Sequence, residues 1–137
     1  MVKDKVVFVT GAASGIGKQI AESFLKNGAK VMFSDINQEA LNNTITELQK
    51  KGYDCMSVKC DVTKEEEINH AIDKTVEKYG RLDILINNAG LQHVSMIEDF
   101  PTDKFEFMIK IMLTAPFIAT KKAFPIMKKQ GFGRIIN

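Results

Sequence analysis

Five short apolar segments, separated by amphipathic stretches, constrain this chain more than any other feature. Lys5–Thr10, Lys30–Ser34, Asp54–Cys60, Leu82–Asn87 and Gly133–Asn137 read as strands. Gly15–Asn27, Gln38–Lys51, a run from Thr63 to Tyr79 and a long region from Thr102 to Gly131 read as helices. Strands alternating with such helices build parallel βαβ units, whose right-handed crossovers place helices on both faces of one sheet. The apolar runs Val6–Val9 and Ile84–Ile86 suit strands buried on both sides. Gly28, Gly52 and Gly80 close three of the helices. Thr63 with Glu66 predicts a capping box, and Pro116 predicts a bend in the last helical region.

The charge balance narrows the partners. With 19 Lys+Arg against 17 Asp+Glu, the net charge of +2 is too small to attract a polyanion, and no basic arm is present. Nucleic-acid binding is therefore not expected. The longest apolar runs fall short of the ~20 residues of a membrane span, and the first residues lead straight into a strand with no signal-like segment. Cys55 and Cys60 are the only cysteines. Five extended residues hold them ~16 Å apart, beyond disulfide reach, and the odd separation points them to opposite faces. They read as two buried structural thiols of a cytoplasmic protein, with no spacing suited to a metal site. Residues 1–137 read as one domain.

The chemistry starts in the turn after the first strand, Thr10-Gly11-Ala12-Ala13-Ser14-Gly15-Ile16-Gly17. A dinucleotide pyrophosphate needs bare backbone N–H groups at a helix N-terminus, where the dipole and unpaired donors favour an anion. Glycines at 11, 15 and 17 allow the sharp turn, the close approach and tight helix–strand packing. Asp35 closes the second strand 18 residues past the last of them. A carboxylate there accepts hydrogen bonds from ribose hydroxyls and repels a 2′-phosphate, so NAD is expected rather than NADP.

Combined with Asn87-Asn88-Ala89-Gly90 at the end of the fourth strand, this G-x-x-x-G-x-G turn resembles the short-chain dehydrogenase/reductase family. The resemblance runs from Val6 to Asn137. It implies an α/β fold, a Rossmann-like doubly wound parallel sheet in strand order 3-2-1-4-5. It also implies cofactor contacts from Gly11, Ser14, Gly15, Ile16, Gly17 and Asp35. By the same resemblance Asp61 contacts the adenine beside Val62, and Asn87, Ala89 and Gly90 line the cofactor's ribose. The stretch Leu91-Gln92-His93-Val94, followed by Ile97-Glu98-Asp99-Phe100-Pro101, is similar to the D-3-hydroxybutyrate dehydrogenase branch. There the residue matching Gln92 hydrogen-bonds the substrate carboxylate, a small hydroxy or keto acid. Other branches, acting on acyl-carrier-protein esters, acetoin or sugars, share most of the remaining pattern.

Two departures qualify the resemblance. Met112, in Ile111-Met112-Leu113-Thr114, stands where the family usually has an asparagine that holds a proton-relay water. A thioether cannot donate, so either the relay is built differently or the helix is shifted; Met112 reads as core packing, like Met108 and Met127. The family's catalytic serine and Tyr-x-x-x-Lys have no counterpart, because Tyr53 and Tyr79 lack a lysine four residues on. No catalytic residue is therefore assigned. The expectation is an incomplete dinucleotide-binding domain, truncated before the family's C-terminal strands and helices and inactive alone. The alternative is a non-catalytic dinucleotide-binding or assembly module. Self-association into a homo-oligomer is expected through Phe105, Ile109, Phe117 and Phe124, which suit core or interface, and through the exposed last strand.

Overall fold

In the computed structural model, which describes residues 1–137, the five apolar segments pair side by side in one sheet. The strands are β1 (Val6–Thr10), β2 (Lys30–Asp35), β3 (Cys55–Lys59), β4 (Ile84–Ile86) and β5 (Arg134–Ile136), in the order β3-β2-β1-β4-β5. Every pairing is parallel; Phe8 of β1 stands between Met32 of β2 and Leu85 of β4. The expected strand order 3-2-1-4-5 is the one found. Chain order reverses direction between β1 and β4, so a crevice opens at their carboxyl ends, where open α/β sheets bind ligands.

Alternation along each strand divides the core into two layers. Val7, Val9, Val31 and Phe33 pack under α1 (Gly15–Lys26) and α2 (Gln38–Lys50), together with Leu25, Leu41 and Leu48. Phe8, Met32 and Leu85 face the other way, toward Ile68 and Ile72 of α3 (Glu65–Tyr79) and Ala119 and Met127 of a later helix. Cys55 joins the first layer and Cys60 the second, both as free thiols, as their odd spacing requires.

The helix boundaries depart from expectation in two places. Lys64 rather than Thr63 is the N-cap of α3, and no capping box forms. The Thr63 hydroxyl and N–H both donate to Asp61 Oδ1, at 2.7 and 2.9 Å, which turns the side chain toward Asp61 and away from the helix amides. Glu67 instead reaches back to accept the Asp61 N–H at 2.7 Å. The long C-terminal region splits into α4 (Thr102–Ile109), a π-helical turn (Lys110–Thr114) and α5 (Ala115–Gln130). The π turn runs directly into Pro116, which lacks the N–H that a regular helical ladder would use there, with the backbone helical on both sides.

That π turn also corrects the expectation for Met112. It is not core: Met112 is 51% exposed, in the middle of the π turn, whose one buried residue is Ile111. Met127 is buried as expected, whereas Met108, on α4, is only half-buried. Phe105, Ile109, Phe117 and Phe124 all lie exposed, so none serves the core. Ile136, on the edge strand β5, is half exposed. No helix is long and apolar enough to cross a membrane.

Candidate functional site

Thr10 ends β1, and the chain must then turn sharply to start α1 five residues later. Gly11 and Gly15 take positive φ values of 64° and 55°, which side chains disfavour. Gly17 is needed for a different reason. A Cβ there would stand 2.2 Å from the Gly11 carbonyl oxygen and 2.4 Å from Asn88 Nδ2, so only glycine lets α1 sit this close to the turn. Around Gly15, by contrast, nothing lies within 4 Å of a Cβ position. That side is open.

The N–H groups of Ser14, Gly15, Ile16 and Gly17 find no acceptor in the chain. The Ser14 side chain makes no capping bond, and the Ile16 side chain is exposed. Four unpaired donors at the positive end of a 12-residue helix form a ready cradle for an anionic group.

Asp35 stands across this turn at the end of β2. Its Oδ2 accepts the Ala13 N–H and its Oδ1 the Asn37 N–H, each at 3.0 Å. The carboxylate thus caps the next turn and fastens it to the glycine turn. Each oxygen accepts only one bond from the chain and keeps a lone pair to offer a ligand hydroxyl.

A cavity of about 180 Å³ opens beside Asp35, lined by Gly11, Ile36, Cys60, Val62, Ala89, Gly90 and Ile111. Asp61 flanks it. The Thr63 hydrogen bonds hold its carboxyl below the usual range against the opposing effect of burial, so it is ionised. Both bonds fall on Oδ1, which leaves Oδ2 free of chain partners. The Val62 N–H is also unpaired. An acceptor and a donor on adjacent residues match the Watson–Crick edge of adenine, which offers an amine donor beside a ring-nitrogen acceptor.

The turn after β4 is held by β1. Thr10 Oγ1 accepts the N–H groups of Asn88 and Ala89, both at 3.0 Å, and lies 3.4 Å from the Ile86 carbonyl oxygen, to which it donates. Asn88 Nδ2 donates to the carbonyl oxygens of Thr10 at 3.0 Å and Gly11 at 3.2 Å. Asn87 is tied instead to β5, its N–H donating to Ile136 and its Nδ2 to Asn137 Oδ1.

The structure therefore gathers Gly11, Ser14, Gly15, Ile16, Gly17, Asp35, Asp61, Val62, Ala89 and Gly90 at the carboxyl ends of the strands. Gln92 lies two residues beyond Gly90 on the following loop, exposed and without a hydrogen bond, outside the Asp35 cavity. Its neighbour His93 turns inward and packs edge-on against Phe100, with ring centroids 5.1 Å apart. Sequence reasoning missed Thr10 and Asn88 as the clamp of the site, and Ile36, Cys60 and Ile111 as walls of the cavity. The second asparagine of the Asn-Asn-Ala-Gly motif was the available signal for the clamp.

The family model for short chain dehydrogenases matches residues 5–137. This chain belongs to the short-chain dehydrogenase family. It is 54% identical over 136 residues to the uncharacterized oxidoreductase YxjF of Bacillus subtilis, covering 99% of this chain and 53% of that protein. It is 41% identical over 128 residues to the CLA biosynthesis dehydrogenase/reductase of Lactiplantibacillus plantarum, covering 93% of this chain and 45% of that protein. Among solved structures, NAD⁺-bound xylitol dehydrogenase superposes with a TM-score of 0.92 at 35% identity, over 98% of this chain and 52% of that one. A short chain dehydrogenase from Mycobacterium smegmatis gives 0.89 at 38% identity, over 93% and 53%. The chain spans about half the length of the relatives it matches. Short-chain dehydrogenase membership thus rests on the whole described chain, from β1 to β5.

Proposed function

We propose that this chain is the NAD-holding part of a short-chain dehydrogenase that moves hydride between the nicotinamide and C3 of 3-hydroxybutyrate or acetoacetate. The observation that carries the nucleotide half of this reading is the row of four N–H groups at Ser14–Gly17 that find no acceptor in the chain, at the start of α1 and tied to Asp35 through Ala13. NAD, when bound, supplies the hydride acceptor for the alcohol or the donor for the ketone. The turn amides hold the pyrophosphate. Asp35 accepts the adenosine ribose hydroxyls, and a 2′-phosphate at the same place would meet its negative charge. Asp61 Oδ2 and the Val62 N–H hold the adenine edge, while Asn87, Ala89 and Gly90 line the ribose.

Gln92 is the residue we assign to the substrate. A neutral amide on an exposed loop beyond β4 can donate to a carboxylate without the cost of burying a second charge. The similarity to xylitol dehydrogenase favours a second reading, in which the same amide binds the hydroxyls of a sugar alcohol.

The chain on its own is proposed to bind without turning over substrate, as a single incomplete dinucleotide-binding domain. Tyr53 precedes β3 and Tyr79 ends α3, so both tyrosines stand at the amino ends of the strands, across the sheet from the site. Burial also raises the Tyr79 hydroxyl far above its ordinary pKa, which leaves it a poor proton donor and acceptor at neutral pH. Two free, buried thiols accord with a cytoplasmic setting.

Isothermal titration of the 137-residue protein with NAD, NADP and ADP-ribose tests this reading. NAD and ADP-ribose are expected to bind with similar affinity, and NADP at least ~10-fold more weakly, a difference of about 1.4 kcal/mol. Tighter binding of NADP would overturn the assignment of Asp35. Turnover of 3-hydroxybutyrate by the isolated chain would overturn the claim of inactivity.

A further inference from the structure

α3 has two unlike flanks, and the function proposed above uses neither. Toward α5 it is closed: Lys121 Nζ reaches Glu65 at 2.8 Å and Lys122 Nζ reaches Asp73 at 2.7 Å. Toward β3, the edge strand of the sheet, a groove of about 490 Å³ lies open. It shares no lining residue with the cavity beside Asp35.

The floor of this groove is apolar. Met56 and Val58 alternate onto one face of β3, where the second core layer leaves them half-buried, and Met32 of β2 stands in register beside Met56. The rim is cationic. His70, Lys74 and Lys78 recur every fourth residue and so share one face of α3, spanning about 12 Å at the usual helical rise. Glu77 is the one acidic residue in the lining, and it is committed to Lys74, which donates to it at 2.8 Å. Lys78 has no carboxylate within ion-pair distance. One positive charge on the rim is therefore left unanswered.

We propose that this groove binds a medium-length acyl chain in its carboxylate form, the chain lying along Met32, Met56 and Val58 and the head group meeting Lys78. The charge stays at the rim, so no ion is buried, while the chain covers apolar surface that the fold leaves wet. Methionine side chains are flexible and polarizable, and they mould to an irregular chain. The volume lies within the range of ~300–1,000 Å³ usual for small-molecule sites. A second copy of this protein fits less well, because a two-fold contact would bring the same cationic rim against itself.

The test follows the isotope-labelled methionine methyls of the 137-residue protein by NMR as octanoate is added. Saturable shifts are expected at Met56 and Met32, and none at Met112, which lies beside Gly90 in the nucleotide site. Octyltrimethylammonium, with the same chain and the opposite charge, is expected to bind at least ~10-fold more weakly. Lys78→Glu is expected to weaken octanoate by a similar factor with an unchanged melting temperature, since the side chain is exposed. The absence of a saturable shift at Met56 would overturn the proposal, and that result needs no variant to fold. Equal binding of the two amphiphiles would also overturn it, because the rim would then select no charge. A mass in light scattering that halves as octanoate is added would make a second copy the occupant, and would overturn it as well.

Discussion

The two ends of the sheet treat polar groups in opposite ways. At the amino ends, the Asp83 carboxylate is wholly buried and satisfied. It accepts the Val6 N–H at 2.9 Å and two bonds from Arg81, at 2.8 and 2.6 Å, with Lys5 Nζ 3.8 Å away. Gln130 closes the same end by bonding Leu82 through both amide atoms and donating to the Phe132 carbonyl. Lys5 lies 4.1 Å above the Phe132 ring. At the carboxyl ends, the Ser14–Gly17 amides, the Val62 N–H and Asp61 Oδ2 have no partner in the chain. Paired groups at one end hold β1, β4 and β5 together, whereas unpaired groups at the other leave recognition to a ligand. One sheet thereby separates stability from binding by about the length of a strand.

The largest effect should come where that separation fails. Gly17→Ala places a methyl against the Gly11 carbonyl and Asn88, so it should cost about 3 kcal/mol in a urea melt and also abolish NAD binding. An alanine variant of normal stability and affinity would show that the turn is more pliable than this packing implies.

Asp83→Ala breaks the amino end alone. It leaves the Val6 N–H without its acceptor, and Arg81 and Lys5 without their counter-ion, at an expected cost of about 2 kcal/mol. The folded protein that remains should bind NAD with unchanged affinity. The pH dependence carries a definite sign. Burial raises the Asp83 carboxyl, but the Arg81 bonds, the Val6 N–H and the nearby cations outweigh it, so its folded pKa is lowered. Its contribution is therefore fully present above the ordinary carboxylate value of about 3.9 and is lost as pH falls through the lowered one. Acid melts of the parent and Asp83→Ala should converge at low pH; parallel curves would remove the carboxylate from this role.

Asp35→Ala tests the binding end. NAD should bind ~10-fold more weakly, about 1.4 kcal/mol, and the preference over NADP should disappear. Stability should fall by about 1 kcal/mol, because Ala13 and Asn37 lose their acceptor. The smallest change in stability, within about 0.5 kcal/mol, is expected for Phe117→Ser on the exposed ridge of α5. Light scattering should show weaker self-association there if this face carries the oligomer; an unchanged mass would move the interface elsewhere.

Sequence and structure agree where the information is local. Apolar runs and glycine punctuation are enough to mark all five strands and α1 through α3 to within a residue or two, since periodicity and caps act over one or two turns. Thr63 was misread because whether its side chain turns toward Asp61 or toward the helix amides is decided by geometry, not by spacing. Pro116 signals an irregularity in the last helical region, but neither the π turn nor the exposure of Met112 can be read from it. Thr10 shows the same limit at long range: its oxygen meets Asn88, 78 residues away, only because β1 and β4 are neighbours.

By itself, then, the sequence determined the parallel α/β plan, the glycine turn poised for an anion, the acidic strand end and the opposite faces of the two cysteines. These follow from residue type and period within single elements. Tertiary structure alone decided which polar groups are paired and which are left open, that Thr10 clamps the Asn88 turn, and that Cys60 rather than Cys55 walls the cavity. Pairing and cavity shape depend on which distant segments become neighbours, and the strand order of the folded sheet sets that.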